Sequence, residues 1–250
     1  MSGTAHIDTR ETRDWAREIK FVVDVAMRPA LLQWFRSNLQ PDGYGTGPCH
    51  DEYVITSLYF ETPEFDVYHR RASYGRSKFR ARRYGLGDFV FLERKFRTDR
   101  LLAKRRTTVP LAEIQLLAES TPDPAWPGYW FHRRVLLRRL RPLTQMSYDR
   151  VARIGTTRHG AVRVTVDTNL RVLPMPDRAF IPGVGLPLIQ DKCIVEVKYR
   201  VELPAIIRRF AETFKLEAVA VSKYRIGLKE LDYAPATDAD ATAPASPAGL

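Results

Sequence analysis

Apolar and polar residues alternate with a period of two along several short stretches of this chain, which is the mark of strands with one buried face. In residues 193–200, Ile194, Glu196, Lys198 and Arg200 share one face, and Cys193, Val195, Val197 and Tyr199 share the other. Residues 18–25 repeat the pattern, with Glu18, Lys20, Val22 and Asp24 opposite Ile19, Phe21, Val23 and Val25. Residues 53–60 are rich in β-branched and aromatic side chains and predict a further strand. Residues 77–84 place Lys78, Arg80 and Arg82 in one row, and the Gly85-Leu86-Gly87-Asp88 turn joins them to 89–96 as a hairpin. Strands are also predicted at 104–109, 144–153 and 161–170; in the last, Arg163, Thr165, Asp167 and Asn169 oppose Val162, Val164 and Val166. A Glu-x-Lys pair followed by an aromatic recurs at Glu18, Glu93 and Glu196.

Between the strands the period changes. Pro29 suits the first turn of a helix through Leu39, and a Pro/Gly-rich loop follows it. Thr62 and Pro63 fit the start of another helix and Gly75 its end. Helical patterns also cover 110–120, 129–140 and 204–216, and the arginines of the second, Arg133, Arg134, Arg138 and Arg139, read as a solvated face. Residues 173–192 are an irregular excursion. Residues 1–14 form a polar, flexible leader, 15–232 one domain, and 233–250 an Ala/Pro-rich tail with the composition of a disordered segment.

Composition adds an anionic partner to this picture. The 250 residues carry 40 Lys plus Arg against 29 Asp plus Glu, a net charge of +11. Two cysteines, Cys49 and Cys193, suggest neither a disulfide framework nor a Cys-rich zinc site. His6, His50, His69, His132 and His159 are scattered without metal-ligand spacing. No apolar run approaches the roughly 20 residues that span a bilayer, and no hydrophobic signal core is seen, so a cytoplasmic location is expected.

Eight strands with helices between them predict an α+β fold. Periodicity alone leaves two arrangements open. An open sheet would show its polar face to water. A closed barrel turned inside out would pack its apolar faces against helices and point Lys20, Arg80, Arg82, Lys95, Lys104, Arg150, Arg163 and Lys198 into a bore. Such a bore needs water and an anion, because like charges 4 Å apart repel by about 4 kcal/mol at an effective dielectric near 20. Arginine forks and lysine point charges match a linear phosphate chain. Glu18, Glu93, Asp167 and Glu196 on the same faces are candidate ligands for a hard divalent cation, Mn²⁺ or Mg²⁺.

The ordered set Glu18-x-Lys20-Phe21, Ser57-Leu58-Tyr59-Phe60-Glu61, Lys78-x-Arg80-x-Arg82, Leu92-Glu93-x-Lys95, Tyr148-x-Arg150, Val162-Arg163-Val164-Thr165, Glu196-x-Lys198-Tyr199 and Ser222-Lys223-Tyr224 resembles the VTC domain. That is the polyphosphate polymerase domain of the triphosphate tunnel metalloenzyme superfamily. The resemblance runs from about Arg17 to Leu231. It implies an eight-stranded antiparallel β-barrel forming a triphosphate tunnel, with flanking helices. It also implies transfer of the terminal phosphate of ATP to growing inorganic polyphosphate. By resemblance, Arg80, Arg82, Lys95, Arg150, Arg163 and Lys198 act on the phosphates at the catalytic centre. Lys20, Lys78, Lys104, Tyr148, Ser222 and Lys223 bind substrate or product, and Glu196 binds the metal.

Two departures refine the expectation. Where the hydrolytic branch of the superfamily carries Glu-x-Glu-x-Lys, this chain has Ala16 before Glu18 and Lys20, which favours the polymerase branch. The membrane and phosphate-sensing segments of eukaryotic VTC complexes are not visible, so any membrane coupling would need a separate protein. The competing readings are tripolyphosphate or nucleoside triphosphate hydrolysis, and a polyanion-binding module without catalysis. Base-reading groups interleaved with stacking aromatics are not evident, so no specific nucleic-acid partner is expected.

Overall fold

The computed structural model describes residues 12–71, 77–97, 102–158, 160–175 and 177–233. Most of the expected leader, Gly75 and residues 234–250 of the expected tail lie outside the described residues. The strands are β1 (Thr12–Asp24), β2 (Gln40–Pro41), β3 (Glu52–Glu61), β4 (Ser77–Tyr84), β5 (Phe89–Arg97), β6 (Leu102–Pro110), β7 (Arg141–Thr157), β8 (Gly160–Pro174), β9 (Leu186–Pro187) and β10 (Lys192–Tyr199). The helices are α1 (Arg28–Asn38), α2 (Asp66–His69), α3 (Tyr129–Leu137), α4 (Ala205–Thr213) and α5 (Lys223–Glu230). The fold is α+β: a large antiparallel sheet with flanking helices. Its hydrogen-bonded order is β2-β7-β3-β4-β5-β6-β1-β10-β8-β9 with a further β7–β8 pairing, so each long strand has neighbours on both sides.

The eight expected strands are all present, and β2 and β9 are two-residue additions at the ends of the order. Strands β7 and β8 extend beyond their predicted limits at both ends. The helical pattern at 110–120 becomes a 3-10 helix over Leu111–Ala118. Helix α5 has no counterpart in the sequence reading; Ser222 stands at its N-cap, with its hydroxyl accepting from the Arg225 N–H.

By the density of its contacts the chain divides into two compact units, where the sequence reading takes residues 15–232 as one domain. The first comprises Met1–Trp15, Thr56–Gln145 and Met175–Phe180. In it β4, β5 and β6 form an antiparallel meander with Arg80 opposite Glu93 and Glu93 opposite Arg106. Phe79, Ala81, Val90, Leu92 and Val109 are fully buried on the other side of the pleat. Phe131 of α3 closes this core edge-on against Phe60 and Phe79, at ring-centroid separations of 5.4 and 6.1 Å. Such aromatic pairs add specificity to the area they bury.

The second unit comprises Ala16–Ile55, Met146–Pro174 and Ile181–Leu250. Here β10 lies between β1 and β8, with Lys20 opposite Glu196 and Glu196 opposite Thr165. Phe21, Val23, Val162, Val164, Val166, Cys193, Val195 and Val197 form one apolar face, as their alternation predicts. Leu31, Leu32 and Phe35 of α1 and Ile207 and Phe210 of α4 cover it, and Phe35 meets Phe210 with centroids 4.4 Å apart. Buried Asp51 ties α1 to β7 by accepting from Arg36 at 3.0 Å and from Arg153 at 3.2 Å.

Within the helix expected from Thr62 to Gly75, the described residues form the single turn α2, and Glu61 serves its start. This buried carboxylate accepts the backbone N–H groups of Thr62, Val67 and Tyr68 at 2.8, 3.0 and 2.9 Å. Phe65 and Arg70 bracket the turn in the left-handed region, at φ 59° and 57°. A β-face residue is thereby spent on capping the first turn, and Arg70 in the left-handed region closes it. Glu61→Ala leaves these donors without a partner and is expected to cost about 2–4 kcal/mol, read as a fall in denaturation midpoint at unchanged m-value.

Candidate functional site

Opposite the apolar face of each unit lies a charged one, and each is organised around carboxylates. In the first unit Glu93 has no exposed surface. Arg80 Nε and Nη2 both lie 2.7 Å from its Oε2, Arg106 Nε lies 2.7 Å from Oε1, and Lys104 Nζ lies 3.5 Å from Oε1. Burial alone would raise the Glu93 pKa, but Arg80, Lys104, Arg82 and Arg106 overwhelm it and hold the carboxyl well below its usual range. Tyrosines steady the forks: Arg106 donates to Tyr84 Oη at 2.8 Å and Arg80 to Tyr59 Oη at 3.3 Å. Arg82, almost fully buried, donates to Ser57 Oγ at 3.0 Å.

One step along the same strands, Lys78 is opposite Lys95 and Lys95 is opposite Lys104. Directly opposed side chains have Cβ atoms about 5 Å apart, so this is a row of like charges, which destabilises a sheet in the absence of an anion. All the residues that the sequence placed here, Lys78, Arg80, Arg82, Lys95 and Lys104, therefore share one charged face. Arg106 joins them; its place two residues beyond Lys104 in the alternation is the signal that identifies it.

In the second unit Glu18, Lys20, Glu196 and Lys198 make a checkerboard. Glu18 is opposite Lys198 and Lys20 is opposite Glu196 across β1 and β10. Lys20 Nζ lies 3.0 Å from Glu18 and 3.7 Å from Glu196, while Lys198 Nζ lies 3.6 Å from Glu18 and 2.6 Å from Glu196. Lys20 also donates to the Val221 carbonyl at 3.0 Å. Each carboxylate thus shares both ammonium groups, and the arrangement is nearly withdrawn from solvent at the carboxylates but open at Lys198.

Next to it, fully buried Asp167 accepts two bonds from Arg150, at 2.6 and 2.7 Å, and is 2.7 Å from Lys223 Nζ. The Tyr148 ring lies beneath both cations, at 5.2 Å from the Arg150 guanidinium and 5.1 Å from the Lys223 ammonium. Burial raises the Asp167 pKa, but Arg150 and Lys223 outweigh it and hold it at about 2. Arg163 donates to Asp42 Oδ2 at 2.7 Å and to Tyr53 Oη at 2.8 Å, and Tyr53 in turn donates to Asp42 at 2.9 Å. Burial pushes the Tyr53 hydroxyl up, although Arg163 opposes this, so it stays a neutral donor. Asp42 sits in the Gly-rich loop after α1, where no periodicity points to it. Ser222, expected to touch substrate, serves as the N-cap that starts α5 and so sets the position of Lys223.

Among the carboxylates proposed for a metal, Glu93 and Asp167 are enclosed by cations. Glu18 and Glu196 fit the role better: they are hard oxygen donors side by side, held by lysines and not by arginine forks. Among the described residues no group of three or more His, Cys, Asp or Glu converges. Such a pair matches the way Mg²⁺ is held by one or two carboxylates plus substrate phosphates.

An α+β fold whose antiparallel sheet carries basic rows on one face is the class of protein these residues build. The chain belongs to the VTC domain family, whose profile matches residues 16–232. Among solved structures it is similar to a Bacillus halodurans protein assigned as an adenylate cyclase, at 15% identity, 82% coverage of this chain, 92% of that one and a TM-score of 0.53. An assigned adenylyl cyclase from Hippeastrum with a dominant triphosphatase activity matches at 13% identity, 86% and 96% coverage and a TM-score of 0.49. A Pyrococcus horikoshii protein matches at 13% identity, 86% and 99% coverage and a TM-score of 0.46. No curated protein matches the sequence. No helix among the described residues is long and apolar enough to cross a membrane.

The depressed pKa of Asp167 gives a signed pH dependence. Its charged form is favoured by folding, so this stability is complete above about pH 4 and is lost as pH falls toward 2. The difference corresponds to about 2 kcal/mol. Asp167→Asn is expected to cost about 3–5 kcal/mol at neutral pH, because Arg150 and Lys223 lose their counter-charge. Denaturant unfolding between pH 2 and 6 checks both, with a shallower acid limb in the variant.

Proposed function

We propose that this protein is a metal-dependent polyphosphate polymerase that transfers the terminal phosphate of ATP to a growing inorganic polyphosphate chain. The observation that carries the reading is the charged face of the first unit. There the Lys78–Lys95–Lys104 row runs beside Arg80 and Arg106, with the single buried carboxylate Glu93 among them. A triphosphate alone needs a compact cluster; successive rows of cations suit a linear polyanion. Membership of the VTC family and Ala16 in place of a further carboxylate support transfer over hydrolysis.

Phosphoryl transfer asks a protein for position and charge neutralisation more than for a nucleophile. Arg80, Arg82, Lys95, Arg150, Arg163 and Lys198 are the groups to hold and neutralise phosphates, with Lys20, Lys78, Lys104 and Lys223 extending the field. Tyr148 keeps Arg150 and Lys223 in place from below. Glu196, with Glu18 beside it, is the carboxylate to hold Mn²⁺ or Mg²⁺. The ion would supply charge neutralisation at phosphate oxygens. Because Lys20, Lys104, Lys198, Lys223, Arg80, Arg150 and Arg163 already rest on carboxylates, a phosphate enters there by exchange: it takes over a cation that a carboxylate held. That exchange keeps the cations aligned before substrate arrives and so lowers the ordering cost of binding.

Purified protein incubated with ATP and Mn²⁺ is expected to yield polyphosphate, resolved on urea gels. Phosphate release without chain growth would select the hydrolase, and binding of preformed polyphosphate with neither product would select a non-catalytic module. Lys198→Ala is expected to lower kcat/KM by about 10²-fold with the fold intact by circular dichroism. Glu196→Gln is expected to shift the Mn²⁺ requirement upward and reduce turnover more than nucleotide affinity.

A further inference from the structure

Thr165 stands at the centre of the β8 charged face, between Arg163 and Asp167 along the strand and opposite Glu196 on β10. The residues on either side of it in sequence, Val164 and Val166, belong to the apolar core, so the Thr165 side chain is on the charged side. It is 2% exposed. Its Oγ1 is nevertheless without a hydrogen-bond partner. A buried hydroxyl left this way is costly, and valine, which has nearly the same shape, would fill the position without the penalty.

Its surroundings explain why it is idle. Glu196 is the acceptor opposite, and the ammonium groups of Lys198, at 2.6 Å, and Lys20, at 3.7 Å, already serve that carboxylate. Arg163 is turned to Asp42 and Tyr53, and Asp167 is filled by Arg150 and Lys223. Every charged neighbour of Thr165 is thus committed elsewhere, and the commitments of Glu196 are to the side chains that a phosphate would draw away. Cβ atoms of opposed residues lie about 5 Å apart, which puts the hydroxyl within a side-chain rotation of the Glu196 carboxylate.

We infer that Thr165 is a positioning residue for Glu196: its hydroxyl is held in reserve in the free protein and donates to that carboxylate when bound phosphate takes over Lys198 and Lys20. The bond keeps Glu196 oriented and charged at the moment when its lysine partners leave, which is when a divalent cation on it must be steadied. This rests on the phosphate-binding reading of the same face. A ligand-orienting hydrogen bond of this kind also sharpens metal affinity.

The test compares the wild type with Thr165→Val and Thr165→Ser as full chains, using tripolyphosphate as the probe in the presence of Mn²⁺ or of chelator. Free Thr165→Val is expected to melt at or above the wild-type temperature. Its dissociation constant for tripolyphosphate with Mn²⁺, by titration calorimetry, is expected to rise about ten-fold, as for loss of a hydrogen bond to a charged group. Thr165→Ser should restore tight binding. In a Glu196→Ala background, which removes the acceptor, the Thr165→Val effect should disappear, since the hydroxyl acts through that carboxylate. Unchanged binding by Thr165→Val overturns the inference, as does a lower melting temperature of the free variant or an undiminished effect beside Glu196→Ala. Failure of the wild type itself to bind tripolyphosphate would instead overturn the phosphate reading, and the inference with it.

Discussion

The compensation of buried carboxylates by surrounding cations is the constraint on which the rest of this structure depends. Glu93 and Asp167 are fully enclosed, and an ionised carboxylate in such a place is tolerated only with close, well-directed partners. Arg80 and Arg106 must therefore flank Glu93, which is possible only when β4, β5 and β6 keep the register that sets the three side by side. Arg150 and Lys223 impose the same demand on β7, β8 and the start of α5. Replacing these groups by apolar ones of equal volume could well give a more stable sheet. What such a sheet would lack is a set of guanidinium and ammonium groups already desolvated, aimed and held, and these are what an anionic ligand requires.

Much of the fold was legible because it rests on the shortest-range signal a sequence carries. The alternations at 77–84, 89–96 and 193–200 predict β4, β5 and β10 almost residue for residue, since a one-residue slip would turn Phe79, Leu92 or Val195 to the charged face. The same parity located the charged residues, and Arg80, Lys95, Arg163 and Lys198 fall on the side it assigns. Events that depend on a single long-range contact were not legible. Asp42 and Tyr53, which set Arg163, meet across 121 and 110 residues of separation from it, and no local pattern records that.

The roles of the carboxylates show the same limit in chemical form. A row containing Glu18, Glu93, Asp167 and Glu196 reads in sequence as four comparable ligands. The structure separates them by environment: Glu93 and Asp167 are committed to arginine forks, while Glu18 and Glu196 share two lysines that are easily recruited elsewhere. Lysine carries its charge on a flexible stem and arginine in a fixed fork, so the lysine pairs rearrange more readily than the arginine pairs. The choice between the two basic residues thus marks where the site can change partners.

The position of Lys223 has a consequence for how the protein comes into being. The second unit's charged face unites β1, from the start of the chain, with β10 and with an ammonium delivered by the first residue of α5. During synthesis the ribosome releases β1 long before its partner strand β10 exists, and Glu18 and Lys20 emerge without the Lys198 and Glu196 that face them. Closure of so long a span is slow and leaves intermediates exposed. This charged face is therefore assembled last, so a nascent chain would present separate charged strands and not the finished face.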